Sequence, residues 1–417
     1  MTSRAATPRL LIIGLNYAPE EVGIGPYTAG LAEALVERGH QVEAIVGKPY
    51  YPRWKINPAF SGGGWRRRRE AGVKITRCPL YVPIEPTGLR RIIHLASFAL
   101  SVLPPALRCA LGGRADRPEI VICIAPALLS VATAWLAARL AGAKLWVHLQ
   151  DFEVEAALAT GLLDPAGLPA RLARWIEKRI LSLADRVSTI SPQMCAKLID
   201  KGIAQENVLE LRNWSDARFS ADLAGAAAIR AEWGLGTSRV ALYSGNIARK
   251  QGIEILVEAA RLLQHRKDLM FVICGEGPNR AELERLARGL DNIQLHNLQP
   301  AAQMGAMLTM ADVHLLPQIA GAADLVLPSK LTNILASGRP VIATTEQGTG
   351  LYDEVDGCGA VSPPGDAAAL AAAIESMVDD PARRAALGQA ASRRAAERWA
   401  KQAIVNRFAA ELGLITA

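Results

Sequence analysis

Residues Gly321 to Thr345 read GAADLVLPSKLTNILASGRPVIATT, a stretch whose pattern predicts a loop, a helix and a buried strand. Ser329 is placed to cap the N-terminus of the helix, and apolar residues follow at helical spacing at positions 331, 334 and 335. Gly338 suits the C-cap of the helix, and residues Pro340 to Thr344 form a short apolar segment. The stretch is therefore typical of one helix-to-strand unit of an α/β fold.

The start of this predicted helix is a candidate anion-binding site, because a helix N-terminus presents unpaired N–H groups and positive dipole. The candidate residues there are Val326, Leu327, Ser329 and Lys330. Asp324 precedes the helix and Asn333 lies on its first turns, so the two could bracket a polyhydroxylated ligand whose phosphates face the N-terminus. The same residues also fit an ordinary loop with chance polar side chains.

Strand and helix patterns alternate through most of the chain, which predicts βαβ units and a mostly parallel sheet in each of two domains. A linker at residues 213–216 separates them. The predicted first domain covers residues 1–215 together with a C-terminal helix that returns at 397–417, and the second covers residues 216–396. We expect two Rossmann-like domains with a cleft between the carboxyl ends of their strands.

Composition and charge restrict the class of protein. Half of the 417 residues are hydrophobic, and the six cysteines are scattered without a CxxC pair, which argues against a zinc site and fits a reducing cytoplasm. Residues 1–215 carry 27 Lys+Arg against 18 Asp+Glu, whereas the remaining residues carry 20 against 22. A basic first half indicates an anionic partner. No basic stretch is interleaved with aromatics as in a nucleic-acid-binding module, so we expect no nucleic acid.

Two segments favour an anionic membrane surface as that partner. Trp65 to Arg69 reads WRRRR, and Leu89 to Leu111 is strongly apolar with two arginines at its head. The Pro104-Pro105 pair interrupts the apolar segment, so we expect it to be too short and broken to span a bilayer. An apolar helix with basic flanks suits the membrane interface, and a buried pair of helices is the alternative. We predict a cytoplasmic protein held peripherally on the inner face of the plasma membrane.

Polar residues in the first domain follow predicted strands. Gly23-Ile24-Gly25 precedes a helix, but a lone GxG is a weak dinucleotide signal and also fits a tight strand-to-helix turn. His148 and Asp151 follow the strand at 144–149, and such positions lie at the ligand-binding edge of an open α/β sheet. A buried structural histidine is the alternative for His148. The loop KPYYPRW at 48–54 suits either sugar contact or packing at the domain rim.

The second domain contains a phosphate-type loop after the strand at 240–244. Gly245 and Asn246 begin this loop, and Arg249 and Lys250 supply cations for a diphosphate. Gly275 and Glu276 begin another turn at the same edge of the sheet, after the strand at 269–274.

Several of these segments resemble those of retaining GT-B glycosyltransferases of the fourth sequence family. The fuller resemblance, nearly end to end, is to colanic-acid biosynthesis fucosyltransferase-type proteins, through PRLLIIGLNYAPEEVGIGPYT, KPYYPRW, RCPLYVP, HLQDFEVEA, STISPQM, NWSD, LYSGNIARKQG and GAADLVLPSKLTNILASG. The family usually carries two glutamates in the donor segment. Asn333 stands in place of the second glutamate, and Asp324 lies within one position of the first.

The resemblance also implies roles for individual residues. Gly23 and Gly25 would touch the sugar diphosphate or the acceptor, and His148 or Asp151 would contact the donor sugar or the acceptor. The family usually shows Gly-Arg, four residues, then Lys-Gly in the phosphate loop. Asn246 replaces that arginine, and Lys250 is one position off the usual lysine, so Lys250 or Arg249 must serve.

The implied activity is transfer of a sugar from a nucleotide-diphosphate donor, with retention, to a saccharide acceptor linked to a lipid diphosphate. Cations and helix N–H donors would stabilise the charge on the departing diphosphate. No carboxylate-rich metal motif is present, so we expect no metal or other cofactor. Two alternatives are a sugar-nucleotide epimerase with the same fold and a non-catalytic subunit for carbohydrate assembly. The donor sugar, fucose being one candidate, and the base stay open.

Overall fold

A computed structural model describes residues 7–20, 23–85, 87–159, 164–215, 221–248, 251–320 and 330–416 of the chain. The chain divides into two compact units. The first unit comprises residues 1–212 and 402–417, and the second comprises residues 213–401. Each unit is built on one β-sheet with helices packed on it, so the predicted α/β class is confirmed.

The first unit alternates strands and helices for most of its length. Its elements are β1 (Leu10–Gly14), α1 (Gly25–Glu37), β2 (Val42–Gly47), β3 (Arg66–Glu70), β4 (Val73–Cys78), α2 (Gly88–Leu111), β5 (Ile120–Ala125), α3 (Leu128–Ala141), β6 (Lys144–Leu149), α4 (Glu153–Ala159), α5 (Leu168–Leu181), β7 (Arg186–Thr189), α6 (Pro192–Asp200) and β8 (Val208–Glu210). The strand order is β3-β4-β2-β1-β5-β6-β7-β8, and β3 is antiparallel to β4 while the other pairs are parallel.

The second unit repeats the alternation with a six-stranded sheet. Its elements are α7 (Leu223–Glu232), β9 (Arg239–Ser244), α8 (Glu254–Leu262), β10 (Leu269–Cys274), α9 (Arg280–Leu286), β11 (Ile293–His296), α10 (Met304–Met310), β12 (Val313–Leu316), α11 (Lys330–Ala336), β13 (Val341–Thr344), α12 (Gly350–Val355), β14 (Gly359–Ser362), α13 (Ala367–Asp379) and α14 (Pro381–Arg398). The order is β11-β10-β9-β12-β13-β14, and its described pairings are parallel.

The central strands are apolar without interruption, as expected for parallel strands that are covered on both faces. β1 (LLIIG) and β5 (IVICIA) are buried at every position, and Ile12 pairs in register with Ile122. A last helix, α15 (Lys401–Thr416), packs on the first unit, where the rings of Phe408 and Trp146 stack with centroids 4.5 Å apart. This contact fixes the end of the chain to β6.

The helix α2 corrects one prediction, because it runs through Pro104 and Pro105 without a break. A proline removes the hydrogen bond to the carbonyl four residues earlier. For Pro105 that carbonyl belongs to Ser101, and it accepts a hydrogen bond of 2.8 Å from the indole N–H of Trp65 instead. For Pro104 it belongs to Leu100, an exposed residue at which water can serve. One freed carbonyl therefore has a partner inside the protein and the other belongs to an exposed residue, so the helix can continue.

The prediction that this segment is too short to span a bilayer is also wrong on length. The 24 residues of α2 are long and apolar enough to cross a membrane by length and composition, although a core helix can pass the same test. Its middle residues Phe98, Val102 and Ala106 are fully buried in the first unit. Removing α2 into a bilayer would therefore expose part of the core of this unit.

Candidate functional site

The strand order of the second sheet indicates where a ligand binds. The chain proceeds from β9 outward in one direction to β10 and β11, and from β12 outward in the other to β13 and β14. Ligands of open α/β sheets bind outside the carboxyl ends of the strands at such a reversal. The segments that follow β9, β10 and β12 are therefore the candidate nucleotide site.

Two glycine-containing turns meet at this edge. A β-carbon on Gly275 would lie 1.9 Å from the carbonyl oxygen of Gly245, and one on Gly277 would lie 2.2 Å from that of Ile247. Backbone bonds hold the turns together: the N–H of Gly245 donates to Cys274 O at 2.9 Å, and that of Ile247 to Glu276 O at 2.8 Å. Glycine is thus required for this backbone-to-backbone contact. The structure brings the predicted residues Gly245, Asn246, Gly275 and Glu276 together.

Lys330 places a positive charge beside these turns. Its Nζ lies 4.0 Å from the centroid of the Tyr243 ring, and a β-carbon on Gly245 would lie 3.2 Å from the same nitrogen. The Tyr243 hydroxyl donates a 2.7 Å hydrogen bond to the carbonyl of Asn246, and burial raises the pKa of Tyr243. The tyrosine is therefore neutral, so its ring holds the lysine by cation–π attraction while its hydroxyl holds the turn.

Among the other site residues predicted in this unit, the structure describes Asn333. Asn333 lies three residues after Lys330 on α11, a spacing that puts both side chains on one face of the helix. The others lie outside the described residues: Arg249, Lys250, Asp324, Val326, Leu327 and Ser329.

The first unit has an equivalent reversal, between β1 and β5. The segment after β1 contains the predicted Gly23 and Gly25. Gly23 has a φ of +74°, and a β-carbon there would lie 3.2 Å from the ring of Tyr51. A β-carbon on Gly25 would lie 3.0 Å from the Cβ of Glu20. Both positions thus favour glycine, the first by its backbone conformation and the second by a tight contact.

Glu20, which was not among the residues predicted from the sequence, binds this segment to the loop KPYYPRW. One carboxylate oxygen accepts hydrogen bonds of 3.0 Å from the backbone N–H groups of both Tyr50 and Tyr51. The other oxygen accepts from the side-chain amide of Asn16 at 2.9 Å. Burial raises the pKa of Glu20, and these hydrogen bonds oppose that effect. The only signal in the sequence was an acidic residue within a strand-to-helix loop.

The loop KPYYPRW packs on α2, as the rim-packing alternative predicted. The ring centroid of His94 lies 4.8 Å from that of Tyr50 and 5.3 Å from that of Trp54. His94 Nε2 also lies 3.0 Å from the hydroxyl of Tyr50. The aromatic side chains Tyr50 and Trp54 therefore fix the loop to the first turns of α2.

His148 lies at the end of β6 with both ring nitrogens hydrogen bonded inside the protein. The side-chain amide of Gln150 donates to Nε2 at 2.9 Å, so Nδ1–H donates to Ser188 Oγ at 2.8 Å. The indole N–H of Trp146 donates to the same hydroxyl at 2.8 Å. Burial lowers the pKa of His148 to about 4, which makes it neutral near pH 7. Through its contact with Gln150, His148 orients that side chain, and Gln150 directly precedes the predicted site residue Asp151.

Glu153 is a second candidate site residue that was not among those predicted from the sequence. It begins α4, two residues after Asp151. Burial raises the pKa of Glu153 to about 7, while the positive charge of Arg91 acts in the opposite direction. A carboxyl group with this pKa at a ligand-binding edge is suited to proton transfer.

Within the described residues, no group of three or more His, Cys, Asp or Glu side chains is arranged to hold a metal ion. The expectation that no metal is needed stays a prediction.

Sequence comparison identifies both halves of the chain with known families. Residues 22–214 match the glycosyl transferase 4-like domain, and residues 226–394 match the glycosyl transferases group 1 family. An Escherichia coli K12 protein named as the colanic acid biosynthesis glycosyl transferase WcaI is 44% identical over 352 residues. That alignment covers 82% of this chain and 84% of the relative.

Solved structures agree on the fold. The Anabaena HepE protein in complex with UDP superposes with a TM-score of 0.71 over 97% of this chain and all of its own, at 15% identity. A sucrose-phosphate synthase from Thermosynechococcus elongatus superposes with a TM-score of 0.74 over 98% of this chain and 99% of its own, at 19% identity. These matches confirm the two Rossmann-like units of the GT-B fold. The chain therefore belongs to the GT-B glycosyltransferases, with a 4-like first domain and a group 1 second domain.

Proposed function

We propose that this glycosyltransferase moves a sugar from a nucleotide-diphosphate donor, with retention, to a saccharide carried on a lipid diphosphate during synthesis of a cell-surface polysaccharide. The observation that carries the donor part is the position of Lys330 beside the Gly245 and Gly275 turns. The colanic acid activity in the name of the Escherichia coli relative and the UDP bound to Anabaena HepE support the polysaccharide and the nucleotide.

The proposed chemistry in the second unit is stabilisation of negative charge. When the bond between sugar and diphosphate breaks, charge develops on the departing nucleoside diphosphate. A fixed cation beside backbone N–H groups stabilises that charge without reorganising in the transition state. Lys330 is a described cation of this proposed set, and Arg249 and Lys250 are added to it from their positions in the sequence after β9. Asn333 and Asp324 would hold hydroxyl groups of the ribose and the sugar, respectively.

In the first unit we assign the acceptor to the edge that carries Gly23, Gly25 and Asp151. His148 is a positioning residue in this proposal, because its two ring nitrogens bind Ser188 and Gln150. Glu153 is the proposed group for exchange of the acceptor proton, since its pKa of about 7 allows both protonation states near neutral pH.

We assign the protein to the cytoplasmic face of the plasma membrane as a peripheral protein. Support comes from the excess of basic residues in the first half, from β3 with its four arginines, and from the exposed first turns of α2. Because Phe98, Val102 and Ala106 in the middle of α2 are buried, we assign its lipid contact to those exposed first turns. A lipid-linked acceptor would be presented at the same surface.

The test begins with purified protein and a panel of UDP- and GDP-sugars, including GDP-fucose. A bound donor raises the unfolding temperature by mass action, which identifies the nucleotide. The donor is then incubated with protein and acceptor membranes. Transfer predicts release of free nucleoside diphosphate and appearance of the sugar in the lipid fraction. An epimerase would change the sugar without releasing nucleotide, and a binding subunit would leave the donor intact; the family matches favour transfer.

A further inference from the structure

The helix α5 turns several of its large apolar side chains toward solvent. Leu168, Leu172 and Trp175 are spaced along one stripe, and they are 79%, 56% and 56% exposed. The buried positions of the same helix are Ala170, Glu177 and Leu181. A helix on the surface of a soluble unit normally turns its large apolar side chains inward. Single exposed apolar residues need no explanation, but a continuous stripe on one helix indicates a contact surface.

Basic residues border this stripe. Arg171, Lys178 and Arg179 are exposed, and the guanidinium of Arg179 lies 5.6 Å from the centre of the Trp175 ring. The acidic residue of α5, Glu177, is buried and contacts the ammonium of Lys201. The exposed surface of α5 is therefore apolar and cationic. This is the composition of helices that lie at an anionic membrane interface, where tryptophan also favours the headgroup region.

The start of α2 has the same character at the same edge of the sheet. Leu89 and Ile92 of the helix and Ile84, four residues before it, are exposed, as are Arg90 and Arg91. α2 follows β4, and α5 follows β6 by way of α4. α5 ends five residues before the amino end of β7, which is parallel to β6, so the first residues of α5 lie toward the carboxyl edge, where β4 leads into α2.

The intervening elements connect the two helix starts. α3 contacts both α2 and α5, and α4 contacts α5. The exposed residues of α2 and α5 thus belong to one side of the first unit. The acidic residues near the two helix starts include the exposed Glu85, which pairs with Arg90 at 3.2 Å, and Asp164.

We propose that the start of α2 and the exposed stripe of α5 form one surface that docks on an anionic lipid bilayer. We call it the helix-start surface, and its apolar members are Ile84, Leu89, Ile92, Leu168, Leu172 and Trp175. The inference rests on the membrane location in the proposed function and extends it, since α5 becomes a second contact. Two helices at the carboxyl edge would hold that edge, with the proposed acceptor residues, next to the lipid surface.

The experiment is flotation of the full chain with vesicles of phosphatidylcholine, with and without phosphatidylglycerol. The test variant is the triple substitution Leu168→Ser, Leu172→Ser and Trp175→Ser. The matched control is Leu223→Ser, Leu262→Ser and Leu298→Ser, which removes three exposed leucines from the second unit. Thermal unfolding checks that both variants fold. We expect wild type and control to float with anionic vesicles, and the partition coefficient of the test variant to fall about tenfold or more.

A second readout locates Trp175 directly. Brominated acyl chains quench tryptophan fluorescence only at contact distance, so wild type should be quenched more strongly than Trp175→Phe. Equal quenching, or equal flotation of the α5 variant and wild type, would overturn the inference while leaving a membrane contact through α2. No flotation of wild type would overturn both the inference and the membrane part of the proposed function; donor binding is measured separately. A dimer in solution that the α5 variant dissociates, with flotation unchanged, would assign the stripe to a second copy of the chain.

Discussion

The ammonium nitrogen of Lys330 lies 4.0 Å from the centre of the Tyr243 ring and 3.2 Å from where a β-carbon on Gly245 would lie. Tyr243 belongs to the end of β9, and Lys330 is the first described residue of α11. The pair therefore joins two elements at the reversal in the strand order of the second sheet. It places one cation directly beside the turn proposed to hold the diphosphate.

Lys330→Ala should lower kcat strongly and should change the unfolding temperature only slightly. Loss of one group that stabilises transition-state charge typically costs about 10²- to 10³-fold in rate. Lys267→Ala is the matched control, because Lys267 is an exposed lysine of the same unit. Steady-state donor turnover with saturating acceptor measures the effect. Equal turnover for Lys330→Ala and wild type would remove Lys330 from the charge-stabilising set.

Gly275→Ala should disrupt the turn and lower the unfolding temperature. The new β-carbon would lie 1.9 Å from the carbonyl oxygen of Gly245, and neither backbone can move freely. Steric overpacking of this kind typically costs about 1–3 kcal/mol. Gly413→Ala in α15 is the control; it has open space, and a helical Gly-to-Ala change stabilises by about 0.5–1 kcal/mol. Unfolding temperature and nucleotide affinity are measured for both, and an unaffected Gly275→Ala protein would contradict the close contact.

The sequence predicted the two sheets well where strands are long and apolar. Strands such as Ile120–Ala125 and Leu269–Cys274 are buried at all or nearly all positions, so their composition alone indicates a parallel strand. It did not predict β3, whose RRRRE sequence has no strand-like alternation and which forms by pairing with β4. α12, β14 and α13 were also not assigned. α12 and β14 are only six and four residues long, so little periodicity is available from them.

The site residues that the sequence missed depend on distant partners. Glu20 binds backbone groups of Tyr50 and Tyr51, which are 30 and 31 residues away, and no local pattern encodes that pairing. Tyr243 looked like an ordinary strand residue, and its contact with Lys330 depends on the fold of both elements. The unbroken α2 has the same explanation, since the indole of Trp65 satisfies the carbonyl that Pro105 releases.

Glu20→Ala should destabilise the first unit. The substitution leaves the buried N–H of Tyr50 and the part-buried N–H of Tyr51 without their acceptor, and a buried unsatisfied group costs about 1–3 kcal/mol. Thermal unfolding should therefore show a clear decrease in midpoint, while Glu37→Ala, at an exposed position on α1, should change it little. Glu20→Gln keeps one acceptor oxygen and should lie between the two. A Glu20→Ala protein as stable as Glu37→Ala would refute the fastening role.

His148→Gln should reduce the loss of stability on acidification. The pKa of His148 is about 4 in the folded protein against an ordinary value of 6.5, so the unfolded state binds more protons between these pH values. Stability attributable to this residue is therefore lost as pH falls from 6.5 to 4, by roughly 3 kcal/mol at 1.36 kcal/mol per unit. Glu153 has the opposite effect on stability, because its pKa is raised to about 7 in the folded protein. The stability that Glu153 contributes therefore falls as pH rises from 4.5 to 7.

The measurement is the unfolding temperature at pH 7 and pH 5 for wild type, His148→Gln and His265→Gln. His265 is exposed and serves as the control. The decrease between the two pH values should be smaller in His148→Gln than in the other two proteins. Identical decreases in all three would show that His148 is not the buried neutral group described above.

The central claim is sugar transfer from a nucleotide donor, and it is tested most directly by following the label of a donor selected by thermal stabilisation. Wild type and Lys330→Ala are incubated with that radiolabelled nucleotide sugar and acceptor membranes. We predict label in the lipid extract of the wild-type reaction, matched by an equimolar release of nucleoside diphosphate, and a loss of about a hundredfold or more in the variant. Release of nucleotide with all label in free sugar, or no consumption of the stabilising donor, would contradict the account.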